Sequence, residues 1–322
     1  MGEAESFIQA AQNRVLLFDG AMGTQIQLLN PQPQDFPDGK DGFNDGLILS
    51  KPEWIKEIHR SYLQAGADCI ETNTFGSNRL KLDEYGYGHM TVEFNEKAAT
   101  LARQVCDEFT DRPRYVIGSM GPSGYLPSSN DPDLGQKPLD EIRDAFALQA
   151  EGLIRGGVDA LLIETSQDIL EVKLAVEACH IAMEEAGGEK KHIPIIANVT
   201  LDQYGKMLLG TSVQAAYTTV SDMKIDAFGL NCSTGPHEMA PSVRWLSEQG
   251  LPILVMPNAG MPQNEGGRAV YKMAPDDISR ALGEFVGKYP MIRMIGGCCG
   301  TNPQHIAQLR KALDSVPRRR SS

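Results

Sequence analysis

Eight times along this chain a short apolar run gives way to a polar or glycine-rich turn and then to an amphipathic stretch. The runs are Val15–Phe18, Cys69–Glu71, Tyr115–Gly118, Ala160–Ile163, Ile195–Val199, Ala227–Leu230, Ile253–Met256 and Met291–Ile295. They are too short for helices, rich in Val and Ile, and do not alternate with polar residues. Parallel strands buried on both faces have this pattern. Helices are expected between them, near Val92–Phe109, Leu139–Arg155, Ile169–Ala186, Val213–Met223, Glu238–Glu248, Asp276–Val286 and Pro303–Leu313. An earlier one opens at Ser50-Lys51-Pro52-Glu53, read as a capping box with Pro in the first turn, and Ile55, Ile58, Tyr62 and Leu63 continue its apolar stripe. Gly250 and Gly187-Gly188 read as helix stops.

Eight strand–helix units predict a (β/α)8 TIM barrel in a single α/β domain over residues 1–316, with 317–322 as a basic C-terminal tail. The length of 322 residues suits a fold that takes about 250 residues plus insertions. A doubly wound open sheet is the competitor, but Gly20-Ala21-Met22-Gly23 lacks the phosphate-loop spacing expected after its first strand. The irregular stretches Asn30–Asp45 and Ser123–Lys137 read as loops over the barrel mouth.

The net charge of −12 disfavours nucleic acid as a partner. The run Arg318–Arg320 reads as a solvated tail. No apolar run approaches the roughly 20 residues that span a bilayer, so no membrane partner is expected. Met1–Gln12 carries Glu3 and Glu5 and lacks a secretory apolar core, which points to the cytoplasm. Thiols stay reduced there, so the six cysteines read as core residues or metal ligands and not as a disulfide framework.

Barrel chemistry sits at the C-terminal ends of the strands. Those ends carry Asp19-Gly20, Glu71-Thr72-Asn73-Thr74, Gly121-Pro122, Glu164-Thr165, Asn198 with Thr200, Asn231-Cys232, Pro257-Asn258-Ala259-Gly260 and Gly296-Gly297-Cys298-Cys299-Gly300. Three cysteines thus meet at ends six and eight. Cys69, Cys106 and Cys179 fall inside elements and read as small buried hydrophobes. Zinc favours thiolates in a tetrahedral set, and a catalytic site keeps one position exchangeable, which makes Cys232, Cys298 and Cys299 candidate ligands. Gly296, Gly297 and Gly300 would let the backbone turn so that both adjacent sulfurs face one ion. A metal-free vicinal pair or a strained disulfide is the alternative. The six histidines lie in helices or loops and not at strand ends. No Ser-His-Asp order or nucleophile elbow supports hydrolase chemistry.

Asp19-Gly20-Ala21-Met22-Gly23-Thr24, Glu71-Thr72-Asn73-Thr74-Phe75, Gly229-Leu230-Asn231-Cys232, Pro257-Asn258-Ala259-Gly260 and Gly296-Gly297-Cys298-Cys299-Gly300-Thr301 resemble the homocysteine S-methyltransferase family. The likeness runs from about Arg14 to Leu313 and is greatest to the N-terminal homocysteine-binding module of the cobalamin-dependent, methionine synthase type. The resemblance implies a methyltransferase that holds zinc through Cys232, Cys298 and Cys299, activates homocysteine as a zinc thiolate and yields methionine. Glu164 would hold the substrate's ammonium group, Asp19, Gly20 and Thr74 would line the pocket, and Asn258 would fill the open metal position before substrate binds.

The thiolate is the nucleophile, and zinc deprotonates a bound thiol, so attack on a methyl group needs no general base. Nothing after Leu313 is long enough to bind a corrinoid, so methylcobalamin would arrive in trans on a corrinoid-carrying protein or module. A stand-alone enzyme using S-methylmethionine or betaine stays open. A betaine user would need an aromatic cage, which Tyr125, Trp54 and Trp245 do not obviously supply. Also open are another thiol or selenol substrate and a zinc-free barrel that binds a small polar ligand.

Overall fold

The computed structural model of the chain describes residues 5–186, 192–266 and 268–315. All eight apolar runs are strands: Leu16–Leu17, Cys69–Glu71, Tyr115–Met120, Ala160–Ser166, Ile195–Val199, Ala227–Asn231, Ile253–Met256 and Ile292–Ile295. They form one parallel sheet in which the second to seventh strands pair in sequence, the seventh pairs with the eighth, and the eighth with the first. Between the first and second strands the ladder is completed largely by carboxylates. The Asp68 amide donates to the Leu17 carbonyl at 2.7 Å, and Asp68 Oδ2 accepts the Leu17 amide at 2.9 Å. Asp19 Oδ2 accepts the Glu71 amide at 3.1 Å. Asp68 is buried and is neutralised by Arg112 at 3.0 Å and Arg310 at 3.1 Å. The result is the expected (β/α)8 barrel.

Side chains alternate across each strand. One set, including Leu17, Ile70, Leu161, Val199, Phe228 and Ile295, packs outward under the helices. The other, including Leu16, Phe18, Ile117, Leu162, Ile196 and Leu254, fills the barrel. Helix Phe7–Asn13 plugs the end opposite the mouth with Phe7, which meets Phe18 and Tyr115 edge-on at 6.4 and 5.7 Å. Continuing the inward alternation past Cys69, Ile117, Leu162, Ile196 and Ala227 puts Glu71, Ser119, Glu164, Asn198 and Asn231 in the top interior layer. There the filling changes from apolar to polar.

Several local readings are corrected. Ser50 is not a cap: it ends the short helix Leu47–Ser50, and Lys51 precedes helix Pro52–Gln64 without a side-chain cap. Pro52 and the buried stripe Ile55, Ile58, Tyr62 and Leu63 stand as expected. A reciprocal box is found instead at Ser6 and Gln9. Helix Pro236–Leu246 is capped by Ser247, so Gly250 lies beyond the stop, in the link to the seventh strand. Gly187-Gly188 and the tail at 317–322 lie outside the described residues. Sequence reading missed helices Phe7–Asn13, Met22–Leu28 and Arg79–Asp83, and a hairpin of Gln263–Glu265 with Arg268–Val270. Each is under three turns long, too short to develop a period.

The two long irregular stretches are pinned at the C-terminal side of the barrel. Asp45 Oδ2 accepts Gly76 N at 2.7 Å and Ser77 Oγ at 2.8 Å, and Phe43 stacks on Tyr85 at 4.2 Å. The stretch after the third strand is held by helix Ile169–Glu185. Asp168 accepts Ser128 N and Oγ at 2.7 and 2.6 Å, and Glu171 accepts Ser123 N at 2.8 Å.

Burial pushes the Glu171 carboxyl up to about 7, against the hydrogen bonds from Ser123 that lower it. A folded-state value above the unfolded one stabilises the fold fully below about pH 4.5, and this contribution is lost as pH rises towards 7. Urea denaturation at pH 5 and pH 8 should therefore show the stability gap between wild type and Glu171→Gln shifting by about 2–3 kcal/mol against wild type at the higher pH. Parallel curves would contradict this.

Candidate functional site

The sixth strand ends at Asn231, and the chain then enters left-handed backbone at Cys232 (φ 61°) and Ser233 (φ 63°). Such values in residues other than glycine cost about 1–3 kcal/mol each and persist where surrounding structure imposes them. Here the Cys232 amide donates to the Met256 carbonyl at 3.1 Å, and Thr234 N donates back to Cys232 O at 2.7 Å. The eighth strand leads into a tight turn in which Thr301 N and Oγ1 both donate to Cys298 O, at 3.0 and 2.6 Å. Of the three flanking glycines only Gly300 is left-handed (φ 80°). Gly296 and Gly297 serve close approach instead: an added Cβ would lie 2.7 Å from Phe18 Cβ and 2.4 Å from Thr301 Oγ1.

These turns bring the sulfurs of Cys232, Cys298 and Cys299 within 4.8 Å of one another, with Cys232 and Cys299 at 3.7 Å. Zinc–sulfur bonds of about 2.3 Å in a tetrahedron set sulfurs about 3.8 Å apart, so the donor set fits a zinc ion. All six cysteines are free thiols, and Cys69, Cys106 and Cys179 are buried as expected. Hydrogen bonds from Cys232 and Cys298 favour Cys299 as the thiolate of the trio. Asn258 is tied to both cysteine turns: its amide donates to Thr234 O at 3.0 Å, and its neighbour Ala259 donates to Cys299 O at 2.9 Å. Asn258 Oδ1 is buried without a hydrogen-bond partner, which suits an oxygen held in reserve for a ligand.

Beside the thiols lies a buried group of acids. Glu164 accepts a hydrogen bond from Ser119 Oγ and one of 3.3 Å from Asn231 Nδ2. Asn231 also donates to Thr165 Oγ1 at 2.8 Å and lies 3.9 Å from Cys298 Sγ, joining the acid to the thiol cluster. Its Oδ1 accepts the amide of Thr165, another left-handed residue (φ 58°). Burial raises the Glu164 carboxyl to about 7, and the Ser119 and Glu71 hydrogen bonds oppose the rise. Asp19 and Glu71 are pushed well above the usual range, first by burial and then by neighbouring carboxylates. Glu164 is the carboxylate of the group that takes hydrogen bonds from both Ser119 and Asn231.

Glu164 is joined to the trio through Asn231, Asn258 through the two cysteine turns, and Asp19 through its carbonyl, which accepts the Gly297 amide at 3.1 Å. Gly20 is a close-approach position, where a Cβ would stand 2.7 Å from Thr301 Oγ1. Thr74 is fully buried: its hydroxyl donates to Ser119 O at 2.8 Å and meets the Thr72 hydroxyl at 2.6 Å. Glu71, Asn198 and Asn231 are legible in the sequence as polar residues at strand ends, though without a role. Ser119 and Tyr271 were missed. Ser119 is detectable by its inward register two residues after Ile117. Tyr271 has no local signal, because a hairpin carries it to the site.

The mouth of the closed barrel thus carries buried acids beside three thiols that could hold a metal ion. The family model for homocysteine S-methyltransferase matches residues 16–313, and the chain belongs to that family. It is similar to methionine synthase of Mycobacterium tuberculosis, 42% identical over 314 residues that make up 97% of this chain and 26% of that protein. It is 41% identical to methionine synthase of Mycobacterium leprae over 309 residues, 95% of this chain and 25% of that one. The chain therefore spans about a quarter of the length of these relatives. The metallated form of the homocysteine methyltransferase MmuM from Escherichia coli shares the fold at 21% identity and a TM-score of 0.70, covering 92% of this chain and 96% of that one. Among the described residues no helix is long and apolar enough to cross a membrane.

Proposed function

We propose that this chain activates the thiol of homocysteine at a zinc ion held by Cys232, Cys298 and Cys299, for methyl transfer from a methylcorrinoid carried on another protein or module, giving methionine. The observation that carries the reading is the convergence of three sulfurs within 4.8 Å beside a buried carboxylate. Zinc, when bound, supplies a substrate thiol already deprotonated at neutral pH.

The residues do the rest. Glu164 holds the ammonium group, fixed in place by Ser119 and Asn231. Asp19, Gly20 and the Thr74 turn shape the pocket wall, and Asn258 offers its unpaired oxygen beside the thiols. The polar layer of Glu71 and Asn198 closes the pocket floor above the apolar filling. Six free thiols suit a reducing compartment, and we place the protein in the cytoplasm. Likeness to one module of longer methionine synthases supports a corrinoid donor.

The test measures zinc content and then homocysteine methylation with methylcobalamin, S-methylmethionine and betaine in parallel. About one zinc per chain is expected, with turnover fastest on methylcobalamin. Metal-free protein that turns over normally would sink the zinc reading, and preference for S-methylmethionine would move the chain to the stand-alone class.

A further inference from the structure

We infer that Thr165 is a positioning residue for recognition of the substrate's ammonium group: its left-handed backbone and its hydroxyl clasp the Asn231 amide, which in turn fixes the carboxylate of Glu164. This rests on the reading of Glu164 given above. At the end of the fourth strand the register slips. Ile163 stands opposite Ala197 and Ser166 opposite Val199, so Glu164 and Thr165 together face Asn198 alone. Such a bulge re-aims side chains and is over-represented beside active sites. Its second residue, Thr165, has a φ of 58°. A β-branched residue takes that conformation only where its surroundings impose it.

The imposing group is the side chain of Asn231, two strands away and fully buried. Its Oδ1 accepts the Thr165 amide at 2.8 Å, and its Nδ2 donates to Thr165 Oγ1 at 2.8 Å. Both ends of the amide are thus held by one residue. The fifth strand ties the clasp together: Thr200 N donates to Ser166 O at 2.9 Å and its hydroxyl to Asn231 O at 2.8 Å. With its plane fixed in this way, Asn231 presents Nδ2 to Glu164 Oε2 at 3.3 Å. The same nitrogen lies 3.9 Å from Cys298 Sγ, so an effect on substrate has to be separated from one on the metal turns.

Isothermal titration calorimetry of zinc-loaded protein measures the Kd of homocysteine and of 4-sulfanylbutanoate, the same thiol without its amino group. Wild type should bind homocysteine roughly tenfold more tightly or better. Thr165→Val keeps the β-branched shape and removes the hydroxyl. It should weaken homocysteine about five- to tenfold and leave 4-sulfanylbutanoate and zinc content unchanged. Thr165→Ser, which keeps the hydroxyl, should bind both thiols as wild type does. If the valine variant does not fold, Thr165→Gly takes the same φ without strain, lacks the hydroxyl and must show the same loss. Unchanged homocysteine affinity in the folded variant, equal weakening of both thiols, or a serine variant as weak as the valine one would overturn this inference alone. Wild type that binds the two thiols equally, or binds neither, would overturn the reading beneath it as well.

Discussion

Cys298→Ala should give a folded chain that retains no stoichiometric zinc and does not methylate homocysteine. The side chain is one of three sulfurs gathered within 4.8 Å, and its loss leaves two thiols from opposite turns. Losing an outer hydrogen-bond partner of a metal ligand typically costs 10–100-fold in affinity or activity, so losing a ligand should exceed the upper end of that range. The backbone of the turn should survive, because Cys298 N donates to Pro257 O at 2.8 Å and its carbonyl accepts from Thr301, neither of which involves the sulfur. Metal analysis after dialysis and the methylation rate measure the effect, and circular dichroism establishes the fold. A variant that keeps one tightly held zinc would remove Cys298 from the ligand set.

Glu164→Gln should leave zinc bound and weaken homocysteine instead. The substitution keeps the shape and an acceptor for Ser119 but removes the charge that faces an ammonium group. Hydrogen bonds to charged groups contribute about 1.5–3 kcal/mol, so KM should rise roughly 10–100-fold. Metal content should stay near one per chain, because the residue supplies no sulfur. Equal loss of zinc and substrate would show that Glu164 acts through Asn231, which stands 3.3 Å from Glu164 and 3.9 Å from Cys298, as a support of the metal turns.

Much of this site is legible in one dimension because barrel strands deliver their C-terminal residues to one place. Cys69–Glu71, Ile195–Val199 and Ile253–Met256 agree with the observed strands to the residue. Buried parallel strands leave an apolar run that needs no partner to be seen, and the few residues that follow each run are then at the mouth. Cys232, Cys298, Cys299, Asp19, Glu164 and Asn258 follow from that rule. Helix ends were less legible. Ser50 has the residue type of a cap, but a preceding helix occupies it, and only the path of the backbone could show this.

What the sequence by itself determined is the periodic plan and the identity of the candidate donors, since strand pattern and residue chemistry are local properties. The tertiary structure decided how those donors meet. It put Cys232 and Ser233 in left-handed backbone, joined Asn231 to both an acid and a thiol, and buried Asp19 and Glu71 against Glu164. It also brought Tyr271 across Gly300. These depend on the distances and solvent exclusion that arise only when residues remote in sequence are packed together, so nothing in the order of the residues could state them.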